Sequence, residues 1–335
     1  MNNVLVTGVG SYLPKRILFN KDLDDSLNTN DEWIKKRTGI AQRHIVSKDE
    51  TTSKMGFYAS RNALQNAKLD SKEIDLIILA TTTPDKTFPA SATKIQHELG
   101  ILNGAAFDIQ AVCAGFIYAL NLAKSLLNSG QFNKALVVGS ESFTNILNWK
   151  DRTTCVLFGD GAGAFVLEKS NNSNNWGILS SNIQSDGQYT DLLYTDGGPG
   201  TNRQIGTVVM NGKEVFKHAV EKLAASLKKA LIDSKINISE IDFIVPHQAN
   251  ERIIDALAKK FNFPHEKIIK TVNIHANTSA SSIPLAVDWG LKEKKIINGS
   301  LLALNAIGGG LSWGASIIKY GRPDIDLWLK FVNIK

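Results

Sequence analysis

The feature that most restricts what this chain can become is a long-period echo between its two halves. IDLIILATTTP from Ile74 is matched by IDFIVPHQAN from Ile241, FDIQAVCAG from Phe107 by VNIHANTSA from Val272, and ALVVGSES from Ala135 by LLALNAIG from Leu301. These three pairs share an offset of about 165 residues, and GAGAFVLEK from Gly161 continues the order with SWGASIIKY from Ser312 at about 151. Similar segments recurring in one order at a long period indicate duplication. Within each unit, short apolar runs alternate with helical patterns, the signature of a layered α/β protein. Strands are predicted over 3–9, 75–80, 105–109, 134–139, 162–167, 177–183, 241–246, 272–274, 301–305 and 315–319. Helices are predicted over 51–67, 87–99, 115–128, 213–232, 251–261 and 281–293. Two halves, 1–171 and 172–335, are expected, with the polar run at 171–175 as a connector.

The duplication gives meaning to three polar residues at strand ends. Cys113 follows the first-half run FDIQAV, while His247 and Asn277 follow the equivalents of two first-half strands. The carboxyl ends of strands are where ligands bind in α/β sheets. If the halves pack with pseudo-twofold symmetry, all three residues approach one cleft. Cys113 is followed by Ala114 and Gly115 and then an apolar helical pattern, so it is placed at a helix start. Such a position lowers a thiol pKa and suits a nucleophile. Packing is the competing reading, and it is preferred for Cys155. Asn277 is first of all an N-cap candidate, and its carboxamide can also donate to an oxyanion. His44, His97, His218, His265 and His275 are read as structural. Gly308, Gly309 and Gly310 join two strands and can aim backbone N–H groups at a ligand.

The formal net charge is +6, but the Lys and Arg residues are scattered, not gathered with aromatics on one face. That excludes a nucleic-acid reading and leaves solvated helix faces or a docking patch for an acidic partner. Two cysteines make no disulfide framework, no leader pattern opens the chain, and no apolar run reaches membrane length. A cytoplasmic protein is expected. No metal-ligand spacing occurs, and Gly159–Gly163 precedes a strand and is not a dinucleotide loop.

At GVGSYLP, DEWIKKRTGIAQRHI, DIQAVCAGFIYAL, DRTTCVLFGDGAGA, NGKEVFKHAV, VPHQANERII, ANTSASSIPLA and AIGGGLSWGAS the chain resembles the β-ketoacyl-acyl-carrier-protein synthase III family, in the thiolase-like superfamily. The resemblance implies a duplicated αβαβα layered fold and a homodimer. It implies an acyltransferase that condenses a short acyl-CoA with malonyl-acyl-carrier protein and initiates fatty acid synthesis. No cofactor is implied, since the CoA thioester is a substrate. The family's catalytic positions fall on Cys113, His247 and Asn277, and the oxyanion-hole N–H groups on Cys113 and Gly309. CoA contacts fall on Thr29, Trp33, Arg37, Arg152, Gly212, Phe216 and Asn250, with Trp33 and Arg152 sandwiching the adenine. Phe88 matches the aromatic that closes the partner's acyl pocket. The carrier-protein patch falls on Lys217, Gln248, Ala249, Asn250, Glu251, Arg252, Lys259 and Lys260.

Two departures stand out: Ala276 replaces the usual glycine before Asn277, and Ile307 replaces the usual phenylalanine before the three glycines. The tail after Tyr320 is longer than expected. The competing functions are a specialised starter synthase for a polyketide, quinolone or biotin precursor, a cysteine hydrolase with the same Cys–His–Asn order, and a non-catalytic carrier-binding paralogue.

Overall fold

The computed structural model describes residues 3–23, 25–171 and 175–323; the centre of the polar run at 171–175 and most of the tail after Tyr320 lie outside them. The first half opens with strand β1 (Asn3–Tyr12). A small antiparallel pair follows, β2 (Arg16–Phe19) and β3 (Gln42–Ile45), with helix α1 (Asp31–Thr38) between its strands. The order then runs α2 (Thr52–Ala67), β4 (Leu76–Ala80), α3 (Ser91–Glu98), β5 (Ala105–Ile109), α4 (Gly115–Asn128), β6 (Lys134–Glu141) and β7 (Gly161–Ser170). The second half comprises β8 (Gly177–Ser185), the short pair β9 (Leu193–Thr195) and β10 (Val208–Met210), α5 (Gly212–Ser234), β11 (Phe243–Pro246), α6 (Glu251–Phe261), α7 (Val272–His275), α8 (Ser282–Lys292), β12 (Leu301–Gly308) and β13 (Ser312–Lys319).

Two sheets carry the architecture, in the orders β1-β7-β6-β4-β5 and β11-β12-β13-β8. Their pairings correspond over four strands. β4 is parallel to β6 as β11 is to β12, and β7 runs antiparallel to both its neighbours, as β13 does. Helices α2 and α3 cover the outer face of the first sheet, α5 and α6 that of the second, and α4 with α8 fill the space between. This is the five-layer thiolase-like arrangement. With both faces covered, the parallel strand β4 is buried at every residue of LIILA. In the central layer Phe116, Ile117, Leu120 and Leu127 of α4 are fully buried, each stabilising by about 1.5–3 kcal/mol. Phe116 meets Phe165 of β7 edge-on at 4.9 Å.

The strand expected over 272–274 is instead α7, a single helical turn. Its β-branched residues read as a strand, but tertiary contacts decide otherwise. The fully buried Gln248 side chain accepts the N–H groups of Thr271 and Val272 at 2.7 and 3.1 Å, and the chain coils at once, with His275 N bonding Thr271 O. The second sheet therefore lacks a counterpart of β5. Helix α3 starts at Ser91, not at 87, because the Asp108 carboxylate caps it from outside, accepting Ser91 N and Ala92 N at 2.7 and 2.8 Å. Helix α1 was not expected, since its polar sequence shows little apolar period. Asn30 caps its start by accepting Trp33 N at 2.8 Å, and Gly39 closes it at φ 76°.

Candidate active site

The first sheet delivers Cys113. β5 ends at Ile109, and a 3₁₀ turn, Val112–Ala114, leads directly into α4. Val112 takes φ 47°, an expensive conformation for a β-branched residue that holds the turn in one shape. Gly308, at the end of β12, lies so close to this turn that a Cβ there would sit 2.7 Å from Cys113 N. The thiol is buried, and the Ser279 hydroxyl and the Cys113 amide beside it favour its ionised form. Burial nevertheless pushes its pKa up to about 12. The expected lowering at a helix start is thus reversed, because loss of water outweighs the helix terminus.

The second sheet delivers His247. Its N–H bonds Asn305 O at 2.8 Å, fixing it just past β11, and it is buried. Nδ1 lies 2.6 Å from Ser282 Oγ, and that oxygen also accepts Gln248 N at 3.3 Å. In the tautomer with the Ser282 hydroxyl donating to Nδ1, the ring proton lies on Nε2. Burial lowers the His247 pKa to about 3, so the ring is neutral and Nε2–H is a standing donor.

Asn277 lies between these two sheet ends. Its backbone bonds Leu157 O and Gly159 N, each at 3.0 Å. Its side-chain Oδ1 accepts Ser279 N at 2.9 Å, an Asx turn at the entry to the 3₁₀ turn Ser279–Ser281 and not a cap of α8. With Oδ1 engaged, the amide protons on Nδ2 are left to donate elsewhere. Ser279 then links Asn277 to Cys113, and three residues further on Ser282 holds His247. Behind Ser279 lies the carboxylate of Glu141, fully buried at the end of β6. Glu141 accepts Ser279 Oγ at 3.0 Å, Thr81 Oγ1 at 3.2 Å, Thr82 N at 3.0 Å and Thr83 Oγ1 at 2.7 Å.

Ala276 occupies φ 59°, ψ −160°, a region almost reserved for glycine. The departure from the family pattern therefore falls on a strained bond beside Asn277. Losing the buried methyl costs about 0.8 kcal/mol, and glycine's extra freedom about 0.5–1. Relief of strain returns about 1–3 kcal/mol. Ala276→Gly is therefore expected to change stability by between a loss of about 1 and a gain of about 1.5 kcal/mol. The same change at Ala119 of α4, equally buried, should cost about 1.5–2 kcal/mol by denaturant midpoint.

A second cluster of expected residues assembles around Trp33 on α1. The guanidinium carbons of Arg37 and Arg152 lie 4.2 and 5.5 Å from its ring centre. Arg152 Nη1 donates to Asn28 O, beside Thr29, at 3.1 Å, and Asn250 Nδ2 donates to Arg37 O at 3.2 Å. Phe216 and Gly212 are exposed at the start of α5. Lys217, Arg252, Lys259 and Lys260 are exposed, whereas Ala249, Asn250 and Glu251 are half-buried. Gln248 does not belong in a docking patch. Its side chain is fully buried and spent on Pro246 O, Ile269 O and the start of α7. Phe88 is 81% exposed, on a loop bordering a cavity of about 810 Å³ lined in part by Thr82, Thr83, Gln110, Ser142, Ile146 and Thr195.

Cys155 is buried and free. His44 bonds Pro14 O, and His275 is buried with its pKa lowered to about 3. Ser279, Ser282 and Glu141 escaped the sequence reading. The two serines sit inside the ANTSASS segment, and a carboxylate ending the apolar run ALVVGSE was the available signal for Glu141.

Comparison with known proteins gives a consistent result. The family model 3-oxoacyl-[acyl-carrier-protein] synthase III matches residues 107–187, and the model of its C-terminal part matches 231–320. The chain is 52% identical over 321 residues to a β-ketoacyl-[acyl-carrier-protein] synthase III of Erythrobacter litoralis, covering 96% of this chain and 100% of that one. The crystal structure of the Aquifex aeolicus 3-oxoacyl-[acyl-carrier-protein] synthase III superposes with a TM-score of 0.89 at 43% identity, covering 95% and 100%. The priming β-ketosynthase of the R1128 polyketide pathway superposes with a TM-score of 0.90 at 35% identity, covering 96% and 97%.

Proposed function

Because the chain belongs to the 3-oxoacyl-[acyl-carrier-protein] synthase III family, we propose that it condenses a short acyl-CoA with malonyl-acyl-carrier protein, with Cys113, His247 and Asn277 in the family's catalytic roles. The observation that supports the assignment of residues is the segment Ser279–Ser282, which bonds the imidazole and the carboxamide and lies beside the thiol.

Cys113 Sγ attacks the acyl thioester, the N–H groups of Cys113 and Gly309 receive the oxyanion, and CoA leaves. Malonyl-carrier protein then loses CO₂. The enolate oxygen accepts His247 Nε2–H and an Asn277 Nδ2 proton. Both donors are fixed from behind before substrate arrives, so no reorganisation is needed when charge develops. The enolate carbon attacks acyl-Cys113 and releases the β-ketoacyl-carrier protein, a ping-pong cycle. Decarboxylation supplies the carbanion, so the reaction balances without a metal or redox cofactor.

Acyl-CoA enters past Trp33, Arg37, Arg152, Gly212, Phe216 and Asn250, near Thr29. The adenine lies on the Trp33 ring, with Arg152 lifting to cover it. Trp33→Ala should raise KM for acetyl-CoA roughly tenfold with kcat little changed, since base stacking is worth about 1–3 kcal/mol. The acidic carrier protein docks on Lys217, Arg252, Lys259 and Lys260, bordered by Ala249, Asn250 and Glu251. β5 is an open sheet edge of half-buried residues beside the exposed Phe88, which supports a homodimer whose cavities each receive the partner's Phe88. The halves 1–171 and 172–335 serve as the donors of the nucleophile and of the decarboxylation pair. A reducing cytoplasm suits a reaction that needs a free thiol. No described helix is long and apolar enough to cross a membrane.

The likeness to a polyketide priming ketosynthase, with Ile307 beside the glycines, keeps a specialised primer as a second reading. Incubation with a panel of acyl-CoA donors, followed by intact mass, tests both. A preferred adduct from acetyl- or another short acyl-CoA supports fatty acid initiation, and preference for a dicarboxylic or long donor supports the specialised synthase.

A further inference from the structure

The mechanism leaves one question of proton balance open: where the Cys113 proton goes. The resting group is a thiol, because burial raises its pKa to about 12. His247 is badly placed to take the proton. Its Nδ1 lone pair is engaged by Ser282, its Nε2 already carries hydrogen, and its pKa is depressed to about 3. The group bonded to the thiol is Ser279, and Ser279 Oγ donates its only proton to Glu141 Oε1 at 3.0 Å. With its own proton on Glu141, Ser279 Oγ offers the thiol a lone pair, and once it has taken the thiol proton it is a donor to the thiolate, the form that Ser279 favours. The chain Sγ–H to Ser279 Oγ–H to Glu141 runs in one direction, from the nucleophile to a buried carboxylate.

We propose that Glu141, acting through Ser279, takes up the Cys113 proton during acylation and returns it when condensation frees the thiolate. As Sγ bonds the acyl carbon and the carbon–sulfur bond to CoA breaks, the thiol proton passes to Ser279 Oγ and the Ser279 proton to Glu141 Oε1. The departing CoA thiolate is protonated by solvent. When the enolate displaces Cys113, the Glu141 proton returns by the same path. The cycle thus consumes one solvent proton, as decarboxylative condensation requires.

Charge counting favours this route. Sending the thiol proton to water would leave two anions side by side in a buried site, and Glu141 already opposes thiolate formation. Passing the proton to Glu141 keeps the buried charge at one. The carboxyl suits the task, since burial raises its pKa to about 7 against the pull of its four donors. The elements packed around Glu141 bring threonines from the end of β4, Ser279, and Cys113 as the titratable neighbour. Asp85, just beyond, is turned to Thr51, Ser53 and Lys94.

This inference rests on Cys113 being the acylated residue, and the test separates the two claims. Acylation by acetyl-CoA is followed by rapid quench and intact mass between pH 5.5 and 9 in the parent, Glu141→Gln and Ser279→Ala, with thermal melts of each. The parent rate should level off above about pH 7. Both variants should lose about 100-fold at pH 7 and keep climbing with pH, with KM for acetyl-CoA within about twofold of the parent. Ser279→Ala leaves Glu141 its three threonine donors, so it decides the matter if Glu141→Gln does not fold. A folded variant with parental rate and profile overturns the inference, as does a slower variant that keeps the parental profile, which would make Glu141 mere support. An absent adduct in the parent overturns the functional reading as well.

Discussion

Cys113→Ala removes turnover, by on the order of 10⁶-fold where a nucleophile acts as one of a unit, while the protein still folds. The fold should survive because the site is built by groups other than the sulfur. Gly308 packs on the Cys113 backbone, Ser279 N on Asn277 Oδ1, and Glu141 on the threonines that follow β4. Alanine keeps the backbone turn and the buried Cβ. Loss of the acyl adduct with an unshifted melting curve therefore separates chemistry from structure. If the variant retained an adduct, the acylated group would be elsewhere, and Cys155 is the remaining thiol. That residue is buried with its pKa pushed up to about 11, chiefly by burial.

The second large effect is expected at His247 and Asn277, and it should fall on only one half-reaction. His247→Ala and Asn277→Ala each should lower malonyl decarboxylation and condensation by about 10²–10³-fold, since one lost oxyanion donor costs about 3–4 kcal/mol. Acylation of Cys113 should persist in both, because neither side chain touches the thiol directly. The two variants differ in their collateral damage. Asn277→Ala also frees Ser279 N, and so should disturb the Cys113 turn more than His247→Ala, which leaves Ser282 unpaired at the start of α8. Quenched-flow mass measurements of acylation, with CO₂ release followed in parallel, check both halves. Normal condensation by either variant would remove that residue from the role given to it.

Much of this was legible in the sequence for a physical reason. Helices 115–128 and 251–261 and strand 105–109 were read to the residue, because an apolar period runs through both helices and in the strand Phe107 and Ile109 flank Asp108 after the turn signal Asn103-Gly104. Cys113 and His247 lie just past strands β5 and β11, as the strand-end reading expected, whereas Asn277 follows the helical turn α7 and no strand. What escaped depends on contacts between distant segments. Gln248 turned the expected strand at 272–274 into α7 from 24 residues away at Val272. Glu141 reaches Ser279 across 138 residues, and His247 reaches Ser282 across 35. The thiol expectation failed for the same reason. A helix start is a local signal that favours the thiolate, but the burial that opposes it comes from β12 and the Asn277 turn closing over Cys113.

The measurement that bears most directly on the account is a two-stage intact-mass experiment on the parent enzyme. Acetyl-CoA alone should add one acetyl group, mapped by peptide analysis to Cys113. Addition of malonyl-carrier protein should then discharge it, with one β-ketoacyl-carrier protein and one CO₂ formed per adduct lost. Discharge to free acetate, an adduct on another residue, or product formed with no prior adduct would contradict it.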